Sequence, residues 1–316
     1  MMKKNFLLTV CLAVAGIFGV KAQNGAGTIA LHHEGKVTLY AGGETQAAMD
    51  ASVKGDTLYF SEGTFGGFNV THGIVVLGSG ENTIVSGHIT IRGNSEKKDL
   101  GDYEFYGLNL LRNFEVGDSV KGFRMSQCQM NNFTVWENTF VDEAAISMSY
   151  VKGTLSLASE GKSRIYGFNV LNSKIREVYY GGINQGCVTF FNCNIGGCGN
   201  SAPTNIFTNS IISGNLHNAT FVNCLYEYNN SGTTTTYNCW SRYLQFDNSL
   251  NCSFSDEELQ SEGWIGTDGT VVGITGGVQP YTLELFRPHI TEHKVDVDNV
   301  NRTLKVTLKM SGETAQ

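Results

Sequence analysis

The chain is short of charge. Only 16% of its 316 residues are Asp, Glu, Lys or Arg, against roughly 25% in an average soluble domain. Proline is scarcer, with 3 in total. Beside 41% hydrophobic residues, these shortages exclude a disordered chain, which joins low hydrophobicity to high charge. A basic footprint is missing as well. Lys and Arg number 22 against 29 Asp and Glu, a formal charge of −7, so no nucleic-acid partner is expected. No apolar run after residue 20 approaches the ~18 residues of a membrane helix. Helical periodicity is absent for about 200 residues after Asp56. Asn-Gly and Asp-Gly turn pairs are nearly absent before Asp268, which disfavours an antiparallel meander. The 8 cysteines are too sparse for a disulfide scaffold. They show neither a CxxC pair nor a zinc-type Cys/His cluster. No metal and no cofactor is expected.

What is there begins with an export signal. Lys3 and Lys4 precede the apolar run Phe6 to Val20, and Val20-Lys21-Ala22 places small residues before a cleavage point. Residues 1–22 are expected to be removed, leaving a protein outside the cell, on its surface or in the periplasm. Seven cysteines then remain, an odd count that cannot pair fully within one chain. They are expected to be small core side chains; Cys193 and Cys198 would be the first pair to test for a bridge. Residues 28 to 40 alternate loosely and predict one or two strands. Thr45 to Lys54 predicts a helix with Thr45 as N-cap and Gly55 as its stop.

Gly is abundant, at 38. From Asp56 onward it punctuates β-type runs of three to five residues, such as Thr57 to Phe60 and Ile74 to Leu77. Many short strands without crossover helices or hairpin turns leave few architectures. Parallel strands ordinarily need a helical crossover; a solenoid escapes that need, because each coil pairs with the coil beneath. An apolar-Asn-Cys triplet recurs at Phe191-Asn192-Cys193, Val222-Asn223-Cys224, Tyr237-Asn238-Cys239 and Leu250-Asn251-Cys252. The stretch 178–241 carries 12 Asn and a single charged side chain, Glu227. Asn tolerates the left-handed corner conformation and can bond its own backbone or the next coil. Interleaved Val188, Phe190, Ile206, Phe207, Ile211, Ile212, Phe221 and Val222 can supply a continuous core.

The run Gly55-Asp56-Thr57-Leu58-Tyr59-Phe60, then Glu62-Gly63-Thr64-Phe65, Val75-Val76-Leu77-Gly78-Ser79-Gly80 and Asn82-Thr83-Ile84-Val85-Ser86-Gly87 resembles the opening of the right-handed parallel β-helix, or pectin-lyase-like, proteins. With the Asn-Cys triplets the resemblance covers about 44–255. The layout also resembles secreted or surface β-helix proteins of gut-type Bacteroidota, whose helix is followed by a tail like Asp268-Gly269-Thr270-Val271-Val272-Gly273-Ile274-Thr275-Gly276-Gly277. The resemblance implies an all-β fold: a right-handed parallel β-helix solenoid with a short N-terminal capping helix, over 23–262. Ser255 and Glu258 form a capping box for a second short helix. Residues 263–316 form a C-terminal β-rich cap or small module. Within it Lys294 to Val297 and Thr303 to Lys309 predict a β-hairpin covering the open end, since exposed parallel edges invite aggregation.

Chemistry is the weakest signal. Polysaccharide lyases of this fold need cations held by acids, or basic side chains beside a proton acceptor; hydrolases need paired carboxylates. His88 and Arg92 are read as lacking carboxylate partners. Glu137, Asp142 and Glu143 are read as a solvated corner loop. Lys174, Arg176, Tyr179 and Tyr180 form a candidate groove for an acidic sugar, and Trp136 joins them as an aromatic for ring stacking. No catalytic residue is assigned. The expected function is a secreted or cell-surface scaffold, non-catalytic, binding polysaccharide or host-surface glycan. The alternative is a polysaccharide lyase or glycoside hydrolase of the pectin-lyase-like group.

Overall fold

The computed structural model describes residues 27–92, 101–157, 163–180, 185–199, 205–214, 219–227, 235–284, 289–298 and 303–311. The expected signal peptide at 1–22 lies outside them. The first element is a hairpin, β1 (Thr28–His33) with β2 (Lys36–Ala41). Its turn residues Glu34 and Gly35 both have positive φ, 46° and 79°, the backbone twist that a two-residue hairpin needs. β1 also pairs antiparallel with the first strand of the stack, Thr57–Phe60.

Helix α1 (Thr45–Asp50) follows. It ends earlier than the sequence predicts, and Glu44 rather than Thr45 holds the N-cap position. The early stop has two local causes. Ser52 Oγ donates to Met49 O at 2.7 Å, and Asp56 Oδ2 accepts the Val53 N–H at 2.8 Å. Such short polar side chains offer the backbone an alternative to the next helical turn. The helix buries Ala48 and Met49 against the core. Its Gln46 amide accepts from Asn69 N at 2.8 Å and donates to Asn69 O at 3.3 Å, so it stands in for a missing strand.

Every strand pair from Thr57 to Arg242 is parallel. One sheet runs from Thr57–Phe60 through Val75–Leu77, Glu104–Tyr106, Arg124–Ser126, Ala145–Ser147 and Arg164–Leu171 to Thr235–Tyr237. The other runs from Gly63–Phe65 through Thr83–Val85, Asn109–Leu110, Gln129–Met130, Tyr150–Leu157 and Lys174–Tyr180 to Trp240–Arg242. A further run, Phe68–Val70, Ile89–Ile91, Phe114–Val116 and Phe133–Val135, joins the second sheet along its side. The chain alternates between the sheets as it advances. This is a parallel β-solenoid. No proline precedes residue 203, so no ladder donor is removed up to that point.

The register brings like side chains onto one another inside. Phe190, Phe207 and Phe221 lie opposite each other on three successive coils. Their rings stack at 4.6 and 5.0 Å, tilted by 8° and 16°. Phe114 and Phe133 stack at 5.6 Å and 3°. All five are fully buried.

One corner explains the recurring triplet. Gln127, Met148, Asn172, Asn192, Asn209, Asn223 and Asn238 all adopt the left-handed conformation, with φ from 43° to 53°. Each is followed by Cys or Ser: Cys128, Ser149, Ser173, Cys193, Ser210, Cys224, Cys239. Ser149, Ser173 and Ser210 donate to the carbonyl two residues back, at 2.8, 2.7 and 2.9 Å. They also accept the N–H of the coil beneath, at 3.2, 3.2 and 3.1 Å. Cys does the same with a softer group: the Cys193 thiol donates to Phe191 O at 3.3 Å. Cys193 is a buried free thiol, and the side chain of Cys198, the partner first to be tested with it, lies outside the described residues. The copy Leu250-Asn251-Cys252 is no rung. There Cys252 makes an isolated antiparallel bridge with Phe246.

The tail packs on that corner. Helix α2 (Asp256–Ser261) carries the expected capping box, Ser255 N–H to Glu258 Oε2 at 2.7 Å and Glu258 N–H to Ser255 Oγ at 3.3 Å. Leu244, Leu259, Trp264 and Val272 form a second core with Ile211 and Leu225 of the solenoid. Beyond Trp264 the chain runs back along the left-handed corner. Asn223 donates to Ile265 O at 3.2 Å, Asn209 Oδ1 accepts from Thr267 N at 2.9 Å, and Asn192 donates to Asp268 Oδ2 at 3.2 Å. Asn172 donates to Gly276 O at 2.9 Å and Gln127 to Glu284 O at 2.6 Å. The Asp268 to Gly277 motif is therefore a strap folded on itself: Thr270 Oγ1 donates to Asp268 at 2.8 Å and accepts the Gly277 N–H at 2.7 Å. The expected terminal hairpin is present as His289–Asp298 paired antiparallel with Thr303–Ser311. Its side chains lie outside the described residues.

Candidate functional site

Strand alternation turns every second residue of a coil outward. On the side run of the second sheet, Ile89 and Ile91 point in and Thr90 points out but is covered, at 7% exposure, while His88 and Arg92 reach the outer surface. The next coil places Glu115 opposite Thr90. The coil after that places Thr134 opposite Glu115, followed by Ser156 and Tyr179 in the same column. His88 Nδ1 lies 3.1 Å from Glu115 Oε1, and Thr90 Oγ1 donates to Glu115 Oε2 at 3.3 Å. His88 thus has a carboxylate partner that its sequence neighbourhood did not reveal, because Glu115 is one coil away.

Trp136 stands at the edge of this surface. The Arg92 guanidinium carbon lies 4.4 Å from the centre of its ring. Arg92 and Trp136 are two coils apart, with Gly117 between them. A Cβ on Gly117 would come within 3.1 Å of the Trp136 ring. The missing side chain is what lets ring and guanidinium meet. At the other end of the same strands Asn132 donates to Asn113 Oδ1 at 3.0 Å and accepts from Thr154 N at 2.7 Å. The result is a flat polar wall with a half-buried indole fixed on it and Tyr179, 38% exposed, further along.

Of the predicted groove of Lys174, Arg176, Tyr179 and Tyr180, Lys174 and Arg176 are engaged by the tail. Tyr179 lies on the outer wall, and the Tyr180 side chain lies outside the described residues. Lys174 is only 8% exposed. Its Nζ donates to Asn251 Oδ1 at 2.6 Å and sits 4.7 Å from the centre of the Tyr281 ring. Burial lowers its pKa from the ordinary lysine value, while the Asp247 carboxylate pulls it back up. Arg176 is exposed, but its guanidinium is tied to backbone: Nε donates to Lys152 O at 2.8 Å and Nη2 to Asn248 O at 2.7 Å. Asp247 shapes the covering loop by accepting from Ser249 N and Asn251 N at 2.7 and 2.9 Å. These two cations hold the tail on the solenoid. Their partners in the tail lie more than seventy residues away, beyond any local pattern.

Of the acidic trio, Glu137 and Glu143 are exposed at a turn and a bend, as the solvated-corner reading expects, and only Asp142 departs from it. Asp142 is a strand residue opposite Lys121, and Lys121 Nζ lies 3.3 Å from Asp142 and 3.7 Å from Glu143. Those carboxylates raise the Lys121 pKa. Among the described residues no three His, Cys, Asp or Glu side chains group as a metal site, and no helix is long and apolar enough to cross a membrane. No family model, curated protein or solved structure matches the chain.

Proposed function

We propose that the chain is an exported, right-handed β-solenoid of the pectin-lyase-like kind, related to surface proteins of Bacteroidota. It acts as a non-catalytic scaffold that binds glycan on the outer wall bearing Trp136. The observation that carries this reading is the Arg92–Trp136 pair over Gly117. An indole held in place by neighbouring coils, with Arg92 over one face, would offer its other face to a sugar ring without losing side-chain freedom on binding. Along the same wall Glu115, Thr134 and Asn132 supply carboxylate, hydroxyl and amide groups for sugar hydroxyls. The motifs quoted above support the family, and the short run of basic then apolar residues at the N-terminus supports export.

A second reading is catalytic, as a polysaccharide lyase or hydrolase. The His88–Glu115 contact favours it, because a carboxylate beside an imidazole is equipment for proton transfer. Both readings are tested by incubating the purified protein with neutral and acidic polysaccharides and measuring retention and product release. Retention without new reducing ends or unsaturated sugars is the expected result. Trp136→Ala should weaken it about tenfold, the ~1.4 kcal/mol scale of one anchoring aromatic. Unchanged retention in Trp136→Ala overturns the assignment of the wall. Product release that disappears in His88→Ala replaces the scaffold reading with the catalytic one.

A further inference from the structure

The corner column of Ser and Cys runs Cys128, Ser149, Ser173, Cys193, Ser210, Cys224, Cys239 along the solenoid. Among these, cysteines occupy successive coils only at its C-terminal end. Val222 lies opposite Tyr237 and Leu225 opposite Trp240, so the register sets Cys224 against Cys239. Neighbouring strands are about 4.8 Å apart, inside the range of about 4.4–6.8 Å between the Cα atoms of a disulfide. A pairing that skips a coil, such as Cys193 with Cys224 across Ser210, would span roughly twice the strand spacing and fails. The Cys224 N–H donates to Cys239 Sγ at 3.4 Å, which seats the upper sulfur over the backbone of the lower residue. Both are free thiols. Cys224 is fully buried, whereas Cys239 is half-buried and open to a reagent.

We infer that Cys224 and Cys239 form a reversible disulfide that staples the last two coils when a small disulfide oxidant, such as oxidised glutathione, is present. The order of events follows from the two environments. A hydrogen bond from the Cys224 thiol, joined by its backbone N–H, lowers the Cys239 pKa, while desolvation raises that of Cys224. The Cys239 thiolate attacks one sulfur of the oxidant, forming a mixed disulfide and releasing one glutathione thiolate. Cys224 then loses its proton to water, attacks Cys239 Sγ and expels the second. Two protein thiols give up two electrons, and one external disulfide takes them up as two thiols. The location gives the bond a purpose. Thr235–Tyr237 is exposed at all three positions, and the described stack ends there, where fraying begins.

The test uses the full chain, reduced and then equilibrated in glutathione buffers of rising oxidised fraction. Free thiols are alkylated after unfolding and the peptides mapped by mass spectrometry. The expected result is joint loss of alkylated Cys224 and Cys239 with appearance of one linked pair, and a higher Tm for the oxidised protein. Cys224→Ser uses the residue that the column itself carries at three positions, so the fold is retained. In that variant Cys239 should stall as the glutathione adduct. Full alkylation of both cysteines after oxidation overturns the inference, as does a link from Cys239 to Cys252.

Discussion

At the scale of single residues, the corner asparagines do two separable jobs. Asn209 holds a φ of 51° and is fully buried, with its amide oxygen accepting from Thr267 N at 2.9 Å. Asn209→Ala should lose both the tolerance of the left-handed backbone, about 1–2 kcal/mol, and the amide's hydrogen bonding to the Thr267 N–H and hydroxyl, about 1 kcal/mol per bond. Asn209→Gly should lose only the hydrogen bonding. Urea unfolding should therefore rank wild type above Gly and Gly above Ala; equal midpoints for the two variants would show that backbone strain plays no part. Lys174 gives a pH signature. Its folded pKa is lowered, chiefly by burial. Between that value and the ordinary lysine value near 10.5, the unfolded chain binds more protons. Stability then rises with pH across this window. Lys174→Met removes the titrating group, so the stability difference between wild type and variant should shift in favour of wild type as pH rises through the window. A pH-independent difference would argue against a desolvated ammonium.

At the scale of elements, the strap of 264–284 is the feature that organises the C-terminal third. Trp264 is 2% exposed and packs with Leu259, Leu244 and Val272 on Ile211 and Leu225. Trp264→Ala should cost about 3–5 kcal/mol and free the strap, seen as new protease cleavage between 264 and 284. A loss of stability with no new cleavage would mean that the Asn ladder alone holds the strap. Ser255→Ala, which removes one half of the capping box of α2, should cost only about 1 kcal/mol. The legible part of this region was local. The capping box, the terminal hairpin and the apolar-Asn-Cys corner could all be read because their signals lie within a few residues. The Asn172-Ser173 and Asn209-Ser210 corners were passed over because Ser and Cys perform the same hydrogen bonding with different letters. The strap, the covered lysine and the His88–Glu115 contact were invisible. Each joins residues one coil or more apart, and a solenoid converts irregular coil lengths into unpredictable sequence separations.

At the scale of the whole molecule, the parallel ladder makes stability close to a sum over neighbouring coils. The aromatic core is divided accordingly. Phe105, Phe114, Phe123, Phe133 and Phe168 touch in one chain of contacts, and Phe190, Phe207 and Phe221 in another. Between them the described core is aliphatic, with Val170, Val178 and Val188. Phe207→Ala should remove about 3–5 kcal/mol from the second block. Each coil is tied mainly to the next, and the strap lies on the corners of Asn223, Asn209 and Asn192 before its far end passes Asn172 and reaches Gln127 of the first block. Amide hydrogen exchange should therefore speed up at 205–208, 219–222 and 264–277, while 105–133 keeps its wild-type protection. The outer wall with Trp136 lies on the first block, so polysaccharide retention should survive the same substitution. A uniform loss of protection along the chain would show instead that the solenoid unfolds as one cooperative unit, and the two blocks would then have no separate thermodynamic meaning.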